Sequence, residues 1–524
     1  MSKLNIKNLT TLEKIGQLIM AGFHGTTVTD EVVSLIRDYK VGNIILFSRN
    51  IESAEQLYKL TQDLQRVALK EIGIPLFISI DQEGGMVTRI YDDATYFPGA
   101  MTIAATNDVK NAYEVADKMG EELLALGINM DLAPVLDVNN NPKNPVIGVR
   151  SFSDDPQMVS DYGIAAIKGL QNHVIATAKH FPGHGDTHVD SHLALPTVEK
   201  TKEELEKFEF KPFVEAIKNG VKAIMSSHIN FTHLTENNLP VTLSKRVLTD
   251  MLRNDMGFEG LIVTDGIEMK AIDDHYGAVE ATLMSVNAGA NLVCICHDLP
   301  YQTGAVYRIL EALEKNEMSM ETLNERVSRI LKFKEELQPI DLDRPYSKVK
   351  TLIENKENKV MAKNVVKDAV TLIKGETLKL KEKALIITTL PKATTIADDT
   401  DGKNLLSQSI KRLIPTLKVK EISVNPTEVE ILEVMELAQN FDQIIFTTYN
   451  GNVYQSQLKL VNELITLDKD LHVLALRNPY DLYYSPAIKN YVAFYEYTPN
   501  AIEVIIEYLK GELIPKGVSP IKYE

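Results

Sequence analysis

Val174-Ile175-Ala176-Thr177-Ala178 runs directly into Lys179-His180-Phe181-Pro182-Gly183-His184-Gly185-Asp186-Thr187-His188-Val189-Asp190-Ser191-His192, and this junction decides how the chain is read. The first five residues form a short, largely apolar stretch that predicts a buried strand. The next fourteen hold one lysine, four histidines and two aspartates. Pro182, Gly183 and Gly185 rule out helix or regular strand over most of them. An ionisable loop at the carboxyl end of an apolar strand is where α/β folds place their chemistry.

The same junction recurs outward from this point. Apolar runs at 18–23, 43–47, 76–81, 130–138, 175–180, 223–229, 261–265 and 292–296 alternate with helical periodicity at 54–69, 109–126, 202–219 and 278–288. Eight strand-like segments with intervening helices over about 300 residues have the number and length of a (β/α)8 TIM barrel. A doubly wound sheet shares the alternation, but eight repeats favour closure. Residues 332–359 are charge-rich, contain Pro339 and Pro345, and predict a partly helical linker. Strand-like runs then resume at 384–390, 419–424, 443–449, 473–476 and 492–495. The division expected is a barrel at 1–337, a linker at 338–361 and a smaller C-terminal α/β domain at 362–524. The last carries one histidine, His472, and no cluster of catalytic residue types, which suggests a structural or gating role.

Composition limits the partners. The chain of 524 residues has a formal net charge of −16, which argues against nucleic acid and against an anionic membrane surface. No stretch approaches the roughly 18 consecutive apolar residues of a membrane span. The first apolar cluster, Leu18-Ile19-Met20-Ala21-Gly22-Phe23, is shorter than the core of a signal peptide. A cytoplasmic, unanchored protein is therefore expected. Only two cysteines occur, Cys294 and Cys296, so there is no disulfide framework, and Cys-x-Cys-His reads more simply as a strand than as a metal site. Neither a GxGxxG fingerprint nor a Walker loop is present, and no cofactor is expected.

Several ionisable residues fall at predicted strand ends: Asp81, Asp137, Lys179, His180, His228 and Asp265, with Arg150 following the run 145–149. In a barrel these converge on one mouth. Asp265, between an apolar strand and Gly266, stands where a nucleophile can be held rigidly; the simpler alternative is an N-cap for the next helix. Asp190 and His192 are two apart on the loop, so the carboxylate can orient the imidazole and raise its basicity. An imidazole with a pKa of about 6.5 gives and takes protons near neutrality. His180, His184, His188 and His192 recur every four residues, but Pro182, Gly183 and Gly185 prevent the helix that would align them, so no metal is expected.

The stretch Lys179–His192, together with Asp81-Gln82-Glu83-Gly84-Gly85, the run 144–152 and the run 263–270, resembles glycoside hydrolase family 3, and within it the β-N-acetylglucosaminidases of bacterial cell-wall recycling. The resemblance covers the first 340 residues well and extends more loosely over the rest, which is similar to the α/β sandwich many members append. It implies retaining hydrolysis of non-reducing terminal β-linked N-acetylglucosamine, from muropeptides or chitooligosaccharides, by double displacement. On that resemblance Asp265 matches the nucleophile, His192 the general acid/base, and Asp190 its partner in a dyad. Asp81, Arg150, Lys179 and His180 match the grip on the sugar hydroxyls, with His228 near the pocket by position. One departure stands out: the family's Gly-Gly-Arg-Val appears as Gly84-Gly85-Met86-Val87, leaving Arg89 as the nearest guanidinium. Two alternatives stay open, a phosphorylase using the same residues and a sugar-binding barrel without activity.

Overall fold

The computed structural model describes residues 4–90, 93–187, 195–338, 340–392 and 404–523. Its first sheet has eight strands: β1 (Ile19–Ala21), β2 (Asn43–Leu46), β3 (Phe77–Ile80), β4 (Met130–Asp131), β5 (Ile175–Phe181), β6 (Ala223–Ser226), β7 (Leu261–Thr264) and β8 (Val293–Ile295). They are ordered β8-β1-β2-β3-β4-β5-β6-β7, and every neighbouring pair is parallel. A bridge between Val263 and Leu292 joins the two ends, and Thr264 donates its N–H to the Leu292 carbonyl at 2.9 Å. The result is the expected barrel, nearly closed. All eight strands are buried along their whole length, as parallel strands covered on both faces must be.

Two elements differ from expectation. The run at 130–138 gives only the two-residue β4, because Pro134 has no N–H to continue the ladder. The single helix expected over 202–219 divides into Lys202–Lys207 and Phe210–Lys218. Pro212 explains the break: its ring clashes with the carbonyl four residues back, but it is tolerated in the first turn of a new helix.

The second sheet contains β9 (Thr371–Lys374), β10 (Ala384–Thr389), β11 (Lys418–Ile422), β12 (Gln443–Thr448), β13 (Asp470–Ala475) and β14 (Asn490–Ala493). Its order is β9-β14-β13-β12-β10-β11. Strands β10 to β14 are parallel, and β9 pairs antiparallel with β14 at the edge. That edge strand has no signature in the sequence, being short and only partly buried. The stretch expected as a linker holds the helices Tyr346–Ile353 and the start of Lys356–Ala369. The second of these packs against the barrel-side helices Ala100–Ala105 and Lys110–Ala125 and also against Pro499–Leu509 of the second sheet. No helix among the described residues is long and apolar enough to cross a membrane.

Candidate active site

The loops after the barrel strands enclose a cavity of about 500 Å³, whose lining includes Asp81, Arg150, Lys179, His180 and Asp265. Five of the residues singled out in the sequence therefore meet in one pocket. They come from the ends of β3, β5 and β7 and from the Gly148–Arg150 turn after β4.

An ion-pair cluster forms one wall. Lys179 is 2% exposed, and its Nζ lies 2.7 Å from Asp81 Oδ1 and 2.7 Å from Glu83 Oε1. Glu83 also accepts two hydrogen bonds from Arg150, from Nε at 2.9 Å and Nη2 at 2.8 Å. Two cations thus face two carboxylates, which is what allows such charges to be buried. Burial by itself would raise the Glu83 carboxyl, yet Arg150 and Lys179 hold it well below the usual carboxylate range. Burial would lower the Lys179 ammonium, but Asp81 and Glu83 raise it, so it stays charged. Asp131 lies close by with its Oδ1 accepting from the Gln82 N–H at 3.0 Å, and burial pushes its carboxyl well up.

A second group fixes the histidines. His180 Nδ1 stands 2.7 Å from Asp137 Oδ2. Asp137 Oδ1 accepts from the backbone N–H of His180 at 3.1 Å and of His184 at 2.7 Å. Asp137 is fully buried, but the His180 imidazole and these N–H groups hold its carboxyl low. His184, also lining the pocket, has its pKa lowered to about 4 by burial and by neighbouring His180, so its ring is neutral near pH 7. Asp137 orients the His180 ring and fixes the His184 backbone, while the His184 ring meets the Thr187 hydroxyl at 3.0 Å.

Asp265 follows β7 and is half-buried. Its Oδ1 accepts from the Gly266 N–H at 2.7 Å, and its own N–H points to the Ser226 carbonyl at 3.3 Å. The next helix begins only at Lys270, with Met269 as its N-cap residue, so the N-cap reading of Asp265 is set aside. His228 is not among the residues lining the cavity. Its ring is fully buried, with Nε2 2.9 Å from the Gly266 carbonyl and Nδ1 2.8 Å from the Thr242 hydroxyl. It supports the turn that carries Asp265 from beneath. Asp190 and His192 lie outside the described residues. The last described residue before them, Thr187, receives a hydrogen bond on its hydroxyl from Asn144 Nδ2 at 3.2 Å, and Asn144 belongs to the loop that also carries Arg150.

The sequence missed several members of this site. Glu83 was read only as part of a motif, although it is the centre of the ion-pair cluster. The rim was missed altogether: the Phe47 and His297 rings lie 5.4 Å apart, and the Arg49 guanidinium sits 4.3 Å from the Phe47 centroid. Glu268 fixes that rim by accepting the N–H groups of His297 at 2.9 Å and Asp298 at 2.8 Å. Met86, the departure from the family pattern, does not line the cavity, whereas Arg89 does. Met86 is buried instead in the core of the second sheet.

Residues 10–333 match the family model described as the glycosyl hydrolase family 3 N terminal domain. Among solved structures, the chain is similar to a glycoside hydrolase family 3 β-N-acetylglucosaminidase from Paenibacillus sp. str. FPU-7, with a TM-score of 0.90 and 37% identity over 98% of this chain and 99% of that one. Among curated proteins it is 37% identical over 368 residues to beta-hexosaminidase A of Pseudoalteromonas piscicida, covering 63% of this chain and 62% of that protein's length. It is 35% identical over 286 residues to a beta-hexosaminidase of Haemophilus influenzae, covering 53% of this chain and 79% of that one. The barrel, the family match and the agreement over nearly the whole length of a solved member lead to one statement: this chain belongs to glycosyl hydrolase family 3.

Proposed function

We propose that the chain is a β-N-acetylhexosaminidase that removes non-reducing terminal β-linked N-acetylglucosamine with retention of configuration, from muropeptide fragments as the preferred substrate class. The observation that carries this reading is the juxtaposition, in one pocket, of Asp265 with the Asp81–Lys179–Glu83–Arg150 cluster. Fixed charged donors and acceptors match the hydroxyls of a sugar ring, and a carboxylate beside them matches the oxocarbenium-like charge at the anomeric carbon. The names of the two beta-hexosaminidases and of the Paenibacillus enzyme favour the N-acetylhexosamine class.

In this mechanism Asp265 attacks the anomeric carbon as the leaving-group oxygen takes a proton from His192, and a glycosyl-enzyme ester forms. Neutral His192 then takes a proton from water, and the resulting nucleophile releases the sugar. Asp190 orients the imidazole and stabilises its charged form. Lys179, Arg150, Asp81 and His180 hold the ring while this happens. The muropeptide assignment rests on the resemblance to cell-wall recycling enzymes.

Chromogenic β-N-acetylglucosaminides test the reaction, with β-glucosides as the comparison. Free N-acetylglucosamine is the expected product. Glycosyl phosphate formed faster than free sugar in millimolar phosphate would replace hydrolysis by phosphorolysis, and binding of the sugar without any release would replace both by a sugar-binding role. His192→Ala should slow poor leaving groups by about 10²–10⁴-fold and activated phenols far less, because only the former need the acid. Equal losses on both would remove His192 from that role.

A further inference from the structure

We propose that the second sheet is a positioning element of the sugar pocket: Asn478 and Glu496, on the loops that follow β13 and β14, fix the two backbone segments that carry Arg150 and Glu83. The proposal rests on the reading of those two residues as part of the sugar site, and it assigns to the second sheet a role at a distance from the sugar.

The Arg150 side is held first. Asn478 Oδ1 accepts from the N–H of Val149, the residue before Arg150, at 3.1 Å. The N–H of Gly148 goes to Asn139 Oδ1 at 3.1 Å, and Asn139 Nδ2 donates in turn to the Tyr480 hydroxyl at 2.6 Å. Asn452 donates to the Pro142 carbonyl of the same loop at 2.8 Å. Gly148 has φ +47°, and a Cβ there would stand 2.3 Å from Asn478 Oδ1. The turn and Asn478 are therefore in direct packing contact, and Asn478 is 4% exposed.

The Glu83 side is held by the neighbouring loop of the sheet. Glu496 Oε2 accepts from the Gly99 N–H at 2.9 Å and the Thr102 hydroxyl at 2.7 Å. Gly99 lies against Gly85, two residues after Glu83: Gly85 has φ +58°, and a Cβ there would meet Gly99 Cα at 2.8 Å. Met86 follows and is buried in the core of the second sheet, with the Tyr497 N–H 3.2 Å from its sulfur.

The two segments are joined by the bidentate Glu83–Arg150 pair, whose geometry tolerates little displacement. The barrel holds them in part, through Lys179 of β5 on Glu83 and through the Asp137 carbonyl on the Ser151 hydroxyl, but regular strand ends at Ile80 and at Asp131. Long loops with little regular structure of their own need support from the elements packed against them. Here two further supports come from adjacent loops of one sheet, so that sheet shares in setting the spacing of the ion pair. Asn478 and Glu496 are positioning residues and not catalytic ones.

The test uses the full chain, an aryl β-N-acetylglucosaminide and calorimetric binding of N-acetylglucosamine. Asn478→Ala should raise KM and weaken sugar binding by about tenfold, the scale of one buried N–H left without an acceptor, with a smaller change in kcat. Asn478→Asp keeps the acceptor oxygen and should recover most of that loss. Asn358→Ala removes a hydrogen bond to Glu122 elsewhere between the two parts of the chain and should leave KM at the wild-type value. Should Asn478→Ala not fold, Tyr480→Phe is read in its place, with a KM rise of about threefold expected. An unchanged KM in the folded variant, or an equal rise in Asn358→Ala, overturns the proposal. Wild-type protein that releases no phenol would defeat the hydrolase reading instead, and the binding measurements would then decide the positioning role by themselves.

Discussion

Asp265→Asn is expected to lower kcat by at least about 10⁴-fold, the scale seen when an enzyme loses its nucleophile, while N-acetylglucosamine still binds. The amide is nearly the same size as the carboxylate, so packing around it is kept. Its oxygen can still accept from the Gly266 N–H, which the carboxylate does at 2.7 Å. What it loses is the negative charge and the electron pair that attack the anomeric carbon. Steady-state kinetics on an activated aryl glycoside measures the effect, because with such a substrate the acid is hardly needed and the loss reports on the nucleophile alone. A residual rate within about tenfold of wild type would mean that a different group attacks the sugar.

Glu83→Gln should cost about 3–5 kcal/mol of stability and abolish detectable sugar binding. Glu83 holds both Lys179 and Arg150, and each of these is at most 7% exposed. Removing its charge leaves Lys179 in contact with Asp81 and takes from Arg150 its bidentate partner, with Asp137 and Asp81 acting on Arg150 through space. The effect depends on pH in a stated direction. The folded-state pKa of Glu83 lies well below the usual carboxylate range, against about 4.3 in an unfolded chain. A carboxylate depressed in this way contributes its full stabilisation above the unfolded pKa and loses it as pH falls towards the folded value. The stability difference between wild type and Glu83→Gln should therefore be constant from pH 7 to about 5 and shrink below that. Burial, the largest cause of the raised Asp131 and Glu496 carboxyls, acts alike in the two proteins, so its opposite slope cancels in the difference; only the smaller part of the Asp131 shift that comes from the Glu83 charge is lost in the variant. Urea unfolding at several pH values reads it directly. A difference that grows in acid would contradict the ion-pair account.

Much of the fold was legible because burial leaves a plain mark on parallel strands. Runs such as Ile44-Ile45-Leu46 are covered on both faces, so their residues are apolar without alternation and easy to find. The missed features have local causes. Pro134 shortens β4, and Pro212 splits a helix whose periodicity otherwise reads as continuous. The edge strand β9 is half-exposed and follows a helix with almost no gap. The site was legible where chemistry and strand ends coincide, as at Asp81, Lys179, His180 and Asp265. Glu83 was not, since it lies past the strand end beside two glycines and its partner Arg150 is 67 residues away in sequence. Met86 stands where the family pattern has arginine, but its side chain belongs to the other core, and no spacing in the sequence announces that.

Covalent trapping puts the mechanism to its most direct test. A slow fluorosugar donor of the N-acetylglucosamine series, incubated with the protein, should raise the intact mass by one glycosyl unit, and peptide mapping should place that unit on Asp265. The label on another carboxylate, or no label while product forms first as the inverted anomer, would contradict double displacement through Asp265.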